Sequence, residues 1–218
     1  MDAEFWRRKW ESGSIGFHRA DPNPMLVRHF AALGLAPGAR VFLPLCGKTR
    51  DVGWLLARDC AVAGAELSAL AVAELFEELG LAPRVTREGP LERWEAERLV
   101  VHVGDIFDLG RAALGAVDAT WDRAALVALP EPTRRRYAAH LVAATAAAPQ
   151  LLASYEYDPD ARTGPPFPVP EAEIRALYAG AYRVVSLERR LADDAIGAAG
   201  VTESVWLMTP RGAPVTSR

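Results

Sequence analysis

The sequence predicts a single α/β domain in which helices cover both faces of a mostly parallel β-sheet. Short apolar stretches alternate with helix-like stretches along most of the chain, and this alternation is typical of parallel sheets. The length of 218 residues suits one domain. Half of the residues are hydrophobic, which is enough for a sizeable core.

The first half of the chain predicts two strand–helix pairs. Strands are predicted over 40–45 and 61–65, and helices over 49–58 and 69–79. Both strands are short apolar runs, and the second ends at Glu66. The first helix would bury Trp54 and Leu55. The second carries apolar residues at helical spacing, which predicts one buried face.

The second half continues the alternation and ends in a hairpin. Strands are predicted over 99–103, 117–121, 151–155, 182–187 and 202–208, and helices over 134–147 and 171–179. The first helix is rich in alanine, the residue with the highest helix propensity. The last two strands follow the last helix without another helix between them. The sequence therefore predicts a mixed sheet of about seven strands.

Polar residues follow several predicted strands, at the edge where ligands bind in open α/β sheets. These positions are Leu45-Cys46-Gly47, Glu66, Asp105-Ile106, Asp122-Arg123 and Tyr155. The stretch PLCGKTRD at residues 44–51 contains the Gly-Lys-Thr of a phosphate-binding loop. That loop needs a glycine at position 42, where this chain has Phe42. The spacing therefore argues against a nucleoside triphosphate.

Glu66 indicates a nucleoside ligand instead. An acid at the end of the second strand can bind both ribose hydroxyls, as in dinucleotide-binding enzymes. This chain lacks the glycine fingerprint that binds a pyrophosphate. S-adenosylmethionine has a ribose and no pyrophosphate, so it fits this pattern. Asp105 would then contact the adenine amino group, whereas the alternative for Glu66 is a surface acid that caps the next helix.

Six stretches together resemble the thiopurine S-methyltransferase family, particularly its bacterial members. They are WRRKWESGSIGFH, PLCGKTRDVGWL, GAELS, GDIFDL, DRAALVALPEPTRRRYAAHL and GPPFPV, and they span nearly the whole chain. The resemblance implies a class I methyltransferase fold. This fold is a Rossmann-like three-layer sandwich with a seven-stranded, mostly parallel sheet and one antiparallel C-terminal strand.

The resemblance also implies a set of site residues. The cofactor-binding residues would be Trp10, Leu45, Gly47, Glu66, Leu67, Asp105, Ile106 and Arg123. Trp10 would cover the cofactor, and Phe17 would pack against an aromatic acceptor. Arg123 would lie beside both cofactor and acceptor and act as the catalytic residue. Its alternative is an ion pair with Asp122.

We expect one methyltransferase domain with three parts: an N-terminal helical lid at residues 1–35, the Rossmann-like core at 36–209, and a frayed terminal tail at 210–218. The lid contains Trp6 and Trp10. The alternative is that both residues belong to an ordinary helix that packs on the sheet. Some family members have a basic residue shortly before the last strand. Residues 193–201 of this chain have none, so Arg189 and Arg190 remain candidates for reaching the acceptor.

The implied activity is S-adenosylmethionine-dependent methyl transfer to the sulfur of aromatic or heterocyclic thiols such as thiopurines. Methyl transfer from a sulfonium is an in-line displacement that needs alignment and a dry site rather than a metal. Two alternatives stay open. One is a methyltransferase for small ions, such as selenium or tellurium species, halide or thiocyanate. The other is a binding module for S-adenosylmethionine without catalytic activity.

Composition limits the partners. The formal charge of −3 predicts neither a nucleic-acid surface nor a basic membrane patch, and residues 134–136, the only basic triplet, are expected to be solvated. The chain has only two cysteines and four histidines and no pair of Cys-x-x-Cys units, which argues against a structural zinc site. Two free thiols suit a reducing compartment. The N-terminus has no signal-peptide pattern. We therefore expect a cytoplasmic monomer that acts on a small molecule.

Overall fold

The computed structural model describes residues 3–16, 18–191 and 200–212. Within these residues, one sheet contains nine strands. They are β1 (Arg40–Pro44), β2 (Ala61–Glu66), β3 (Arg84–Glu88), β4 (Leu91–Ala96), β5 (Leu99–Val103), β6 (Ala119–Asp122), β7 (Gln150–Glu156), β8 (Tyr182–Leu191) and β9 (Thr202–Pro210). The α-helices are α1 (Ala3–Glu11), α2 (Pro24–His29), α3 (Asp51–Leu56), α4 (Ala69–Glu78), α5 (Arg111–Leu114), α6 (Glu131–Ala144) and α7 (Glu171–Tyr178).

The strands are arranged in the order β3-β4-β5-β2-β1-β6-β7-β9-β8. The five central strands, β5-β2-β1-β6-β7, pair in parallel with their neighbours. Strand β9 is antiparallel to both β7 and β8. All seven predicted strands are present, with one antiparallel C-terminal strand as expected. The α/β fold class is confirmed.

The predicted count of seven strands is too low, because β3 and β4 form an antiparallel hairpin that extends the sheet beyond β5. Its sequence, RVTREGPLERWEA, alternates charged and apolar residues and has no continuous apolar run. Strand β3 is largely exposed at the sheet edge. Charged side chains are common on edge strands because they discourage pairing with other chains.

Two hydrophobic cores lie on opposite faces of the sheet. One contains residues of α6 and α7, including Tyr137, Leu141 and Tyr178. The other contains residues of α2, α3 and α4, including Met25 and Phe76. The molecule is therefore a three-layer sandwich, as predicted from alternating strands and helices.

Two side-chain predictions in the helices need correction. Leu55 is fully buried, but Trp54 is only partly buried. The guanidinium carbon of Arg58 lies 3.5 Å from the centroid of the Trp54 ring, so this face of the indole is covered by a cation. Arg134 was expected in solvent but is buried, and its Nε and Nη2 donate to Glu173 at 2.7 and 3.0 Å.

No helix within the described ranges is long and apolar enough to span a bilayer.

Candidate active site

A cavity of about 930 Å³ opens at the carboxyl ends of the parallel strands. Its walls include eight of the residues named from the sequence: Trp10, Leu45, Gly47, Glu66, Leu67, Asp105, Ile106 and Arg123. Phe17, the predicted contact for an aromatic acceptor, lies outside the described residues. The topology therefore brings together residues that are far apart in sequence.

The turn after β1 is held by Glu66. The Glu66 carboxylate accepts hydrogen bonds from the backbone N–H groups of Gly47 and Ser68, each at 2.8 Å. Burial raises the pKa of this carboxyl, and the backbone N–H groups oppose that rise. Glu66 is thus part of the cavity wall and also fixes the shape of the turn.

The same turn contains two residues in the left-handed backbone region. Leu45 has φ 47° and Gly47 has φ 53°. A residue other than glycine rarely adopts this conformation, and such strained residues cluster at ligand sites. Leu45 is therefore held in place by its surroundings.

Trp10 packs directly on this turn. A Cβ atom added to Gly47 would lie 2.7 Å from Cζ2 of the Trp10 ring. Trp10 is 6% exposed, and both Trp6 and Trp10 line the cavity. Helix α1 therefore contributes one wall of the cavity through these indoles. Both the predicted lid and ordinary packing of a helix are consistent with this position, so the lid role stays a prediction.

Around the end of β5, Ile106 is buried in the cavity wall, whereas Asp105 is exposed. The Asp105 carboxylate accepts a hydrogen bond from the Phe107 N–H at 3.0 Å. Phe107 and Arg136 also line the cavity, and the Arg136 guanidinium carbon lies 3.7 Å from the Phe107 ring centroid. Sequence reasoning missed this pair because Arg136 belongs to the triplet that was expected to be solvated.

Arg123 follows β6 and lines the cavity. Its alternative pairing with Asp122 is not formed, because Asp122 accepts hydrogen bonds from the Leu126 N–H at 3.0 Å and the Tyr137 O–H at 2.8 Å. Burial raises the pKa of Asp122 to about 6. The Arg123 Nε is buried and has no hydrogen-bond partner among the described residues. The next residue, Ala124, has φ 59°, so the chain turns sharply after the arginine.

The proline-rich loop after β7 forms another wall. Arg162, Gly164, Pro165 and Pro166 line the cavity. The loop is attached to the core because the Phe167 N–H donates to the Val127 carbonyl at 2.6 Å.

Arg189 and Arg190, in the last part of β8, do not line the cavity. Arg189 donates to Glu156 and Arg190 to Glu203, each at 2.8 Å. Some family members have a basic residue in the segment that corresponds to 193–201. Most of this segment lies outside the described ranges.

Lys48 and Asp51 both line the cavity, but they bond to different parts of the protein. Lys48 Nζ pairs with Glu74 at 2.7 Å and Glu78 at 3.0 Å. The lysine of the Gly-Lys-Thr sequence therefore ties the turn to α4. Asp51 is buried, and it accepts a hydrogen bond from the Trp121 indole N–H at 2.8 Å.

Comparison with known proteins assigns the chain to a family. The profile of the thiopurine S-methyltransferase (TPMT) family matches residues 1–209. The chain belongs to the thiopurine S-methyltransferase family. The thiopurine S-methyltransferase of Xanthobacter autotrophicus is 51% identical over 210 residues, covering 95% of this chain and 99% of that protein. The one of Gluconobacter oxydans is 45% identical over 210 residues and covers 96% of each chain.

Solved structures support the fold. The 1,6-didemethyltoxoflavin-N1-methyltransferase of Burkholderia thailandensis, with bound S-adenosylhomocysteine, superposes with a TM-score of 0.65 at 17% identity. The match covers 95% of this chain and 86% of that chain. The magnesium protoporphyrin IX methyltransferase of Synechocystis superposes with a TM-score of 0.64 at 14% identity, covering 95% and 99%. The family member described here therefore has the class I methyltransferase fold.

Proposed function

We propose that the protein transfers the methyl group of S-adenosylmethionine to the sulfur atom of an aromatic or heterocyclic thiol, such as a thiopurine. The observation that carries this proposal is the buried Glu66 carboxylate in the cavity wall, with Arg123 in the same cavity. Membership of the thiopurine S-methyltransferase family supports sulfur as the acceptor atom.

The cavity residues suit the parts of S-adenosylmethionine. Glu66 offers carboxylate oxygens to the ribose hydroxyls, and Ile106 offers an apolar surface to the adenine. The turn at Leu45 and Gly47 contacts the methionine part, and Trp10 packs on Gly47 beside it. When bound, the cofactor supplies a methyl group that its positive sulfur has already activated.

Arg123 and the N-terminal indoles contribute to the reaction in different ways. A cation beside the acceptor favours its thiolate, because the positive charge lowers the pKa of the thiol. Arg123 has a buried Nε without a partner among the described residues, so its guanidinium can take this role. Trp6 and Trp10 cover the cavity and exclude water from the reacting atoms.

The size and lining of the cavity favour a thiol over a small inorganic ion. Its volume of about 930 Å³ lies near the upper end for small-molecule sites, where a cofactor and an aromatic acceptor both find room. Aromatic walls formed by Phe5, Trp6, Phe107 and Tyr155 suit a flat ring.

We place the protein in the cytoplasm, where its two cysteines stay reduced, and infer that it acts as a monomer.

A paired assay on the purified protein tests the function. Calorimetry measures binding of S-adenosylmethionine, and a second assay follows methyl transfer to 6-mercaptopurine. We expect both binding and turnover. Binding without turnover would favour another acceptor or a non-catalytic module, and no binding would overturn the cofactor assignment.

A further inference from the structure

Asp51 is a buried carboxylate that the mechanism above does not use. It begins α3, immediately after the turn that contains Gly47, and it is 1% exposed. Its two oxygens accept hydrogen bonds from different parts of the protein. The Asn23 backbone N–H donates to Oδ1 at 2.6 Å, and the Trp121 indole N–H donates to Oδ2 at 2.8 Å.

The bond from Asn23 fixes the point where the N-terminal segment leaves the core. We define this segment as residues 3–16 and 18–22. It supplies Trp6 and Trp10 to the cavity wall. Asn23 is 3% exposed, and its side chain caps α2 by accepting from the Met25 N–H at 2.8 Å. Asn23 is therefore both the start of α2 and the anchor of the segment.

The bond from Trp121 fixes the end of β6. Trp121 is 1% exposed, lines the cavity and lies two residues before Arg123. Its partner on α3 is 70 residues away in sequence. The position and orientation of this strand end therefore depend in part on a contact with the first residue of α3.

Both donors to Asp51 are neutral, and no ion pair to this carboxylate occurs among the described residues. A buried carboxylate depends strongly on its hydrogen bonds, because no water replaces a lost donor. The two bonds therefore stabilise one arrangement of the three elements that meet at Asp51.

We propose that Asp51 is a positioning residue that holds the N-terminal segment and the end of β6 together across the cavity. Closure of the segment over the cofactor and placement of Arg123 then depend on one carboxylate. This inference rests on the proposed function for the roles of the segment and of Arg123. The contacts that support it are independent of any ligand.

The Asn23 bond can be removed by proline. Asn23 has φ −63° and ψ 122°, which proline adopts without strain. Asn23→Pro removes both the N–H donor and the side-chain cap, whereas Asn23→Ala removes only the cap. The proline ring also occupies the place of the amide hydrogen that points at Oδ1, so the difference between these variants reports the whole contact between Asn23 and Asp51.

Hydrogen–deuterium exchange without ligand is the first readout for this pair. We expect faster exchange over residues 3–22 in Asn23→Pro than in Asn23→Ala, with the strands of the sheet unchanged. We also expect S-adenosylmethionine to bind Asn23→Pro roughly tenfold more weakly than Asn23→Ala, as for the loss of a hydrogen bond to a charged group.

The Trp121 bond has a matched control elsewhere in the sheet. Trp206 is also 1% exposed, and its indole N–H donates to the Ser154 hydroxyl at 2.8 Å; neither of these two residues lines the cavity. Trp121→Phe and Trp206→Phe each lose one buried indole bond. We expect both to lower the melting temperature, but only Trp121→Phe to lower kcat, by roughly tenfold.

Equal exchange and affinity in the two Asn23 variants would overturn the proposal, as would equal kcat in Trp121→Phe and Trp206→Phe. If the wild-type protein neither bound S-adenosylmethionine nor methylated the thiol, the proposed function would be wrong, whatever the exchange experiment showed. The exchange experiment needs no cofactor, so it would still decide whether Asp51 holds the N-terminal segment.

Discussion

Arg123 allows the most direct test of catalysis at the scale of a single residue. Its Nε has no hydrogen-bond partner among the described residues, so its removal breaks few native contacts. We expect Arg123→Ala to lower kcat/KM for 6-mercaptopurine by about 10²- to 10³-fold, as for the loss of one donor that stabilises charge in a transition state. Steady-state kinetics and a melting curve measure the two effects separately.

Arg189 provides the control for this substitution. It is also an arginine near the carboxyl end of a strand, but it pairs with Glu156 and does not line the cavity. Arg189→Ala should therefore keep wild-type kinetics. Activity of Arg123→Ala within threefold of wild type would remove Arg123 from the mechanism.

His102 predicts a dependence of stability on pH. It is 1% exposed, and neither ring nitrogen has a hydrogen-bond partner in the described structure. Burial lowers the pKa of His102 to about 4, and the charges of Arg40 and Arg93 act in the same direction. Between this value and about 6.5 the unfolded chain binds more protons at this site. His102 therefore makes its full contribution to the free energy of unfolding above pH 6.5. This contribution falls by about 3 kcal/mol as the pH drops to about 4.

The substitution His102→Leu removes this dependence. We expect the variant to gain about 3 kcal/mol relative to wild type between pH 7 and pH 4, as measured by urea unfolding at each pH. Both proteins in the comparison retain Asp122. The pKa of its carboxyl is raised, so its contribution to the free energy of unfolding increases as the pH falls, opposite to that of His102. Parallel pH curves for the two proteins would contradict the prediction.

At the scale of an element, the turn after β1 combines two demands on one glycine. Gly47 has a left-handed backbone, and Trp10 occupies the space where a Cβ would lie. Gly47→Ala should therefore shift Trp10 and weaken S-adenosylmethionine binding by at least about tenfold, equivalent to 1.4 kcal/mol. Calorimetric titration measures this affinity.

Gly80 is the control because it shares the left-handed backbone of Gly47 but has no side chain packed against it. It has φ 67°, and no atom lies within 4 Å of an added Cβ. Gly80→Ala should lose roughly 1 kcal/mol of stability from backbone strain and keep wild-type affinity. If Gly47→Ala also kept its affinity, Trp10 would not be part of the cofactor site.

The elements differ in how well the sequence predicts them. Strands β1 and β2 are predictable because parallel strands buried on both faces need apolar residues throughout. The hairpin of β3 and β4 is not, because its pattern suits a half-exposed edge. Leu91, its buried residue, fits a gap above Gly104, where an added Cβ would lie 2.5 Å from the leucine side chain. Such a fit depends on the tertiary structure and has no local signal.

At the scale of the whole molecule, ligand binding should stabilise the fold. A ligand that binds only the folded protein adds about 2.7 kcal/mol at 100 times its dissociation constant. For a chain of this length we expect S-adenosylmethionine to raise the melting temperature by roughly 5–10 °C. Scanning calorimetry measures the shift.

Nucleoside triphosphates are the control for this experiment. ATP and GTP should leave the melting temperature unchanged, because Phe42 stands where a phosphate-binding loop needs glycine and Lys48 is paired with Glu74 and Glu78. A shift with ATP comparable to that with S-adenosylmethionine would contradict the interpretation of the turn.

The candidate site is predictable to the extent that the topology determines it. The ends of parallel strands must meet at one edge, so Glu66, Asp105 and Arg123 could be placed together from sequence. The contact between Asp51 and Trp121 could not, because nothing local to either residue indicates a partner 70 positions away. The stacking of Arg136 on Phe107 was missed because a run of three arginines is typical of a solvated surface.

The buried cysteines have a consequence for the proposed chemistry. Cys46 lies in the cavity wall and Cys60 is also buried, and burial raises the pKa of both thiols. Thiol–disulfide exchange begins with attack by a thiolate, so neither side chain readily attacks an oxidised acceptor. A protein that receives reactive sulfur compounds would thereby avoid mixed disulfides with them. The thioether that it releases can no longer enter such exchange, so methylation would withdraw the acceptor from the thiol pool.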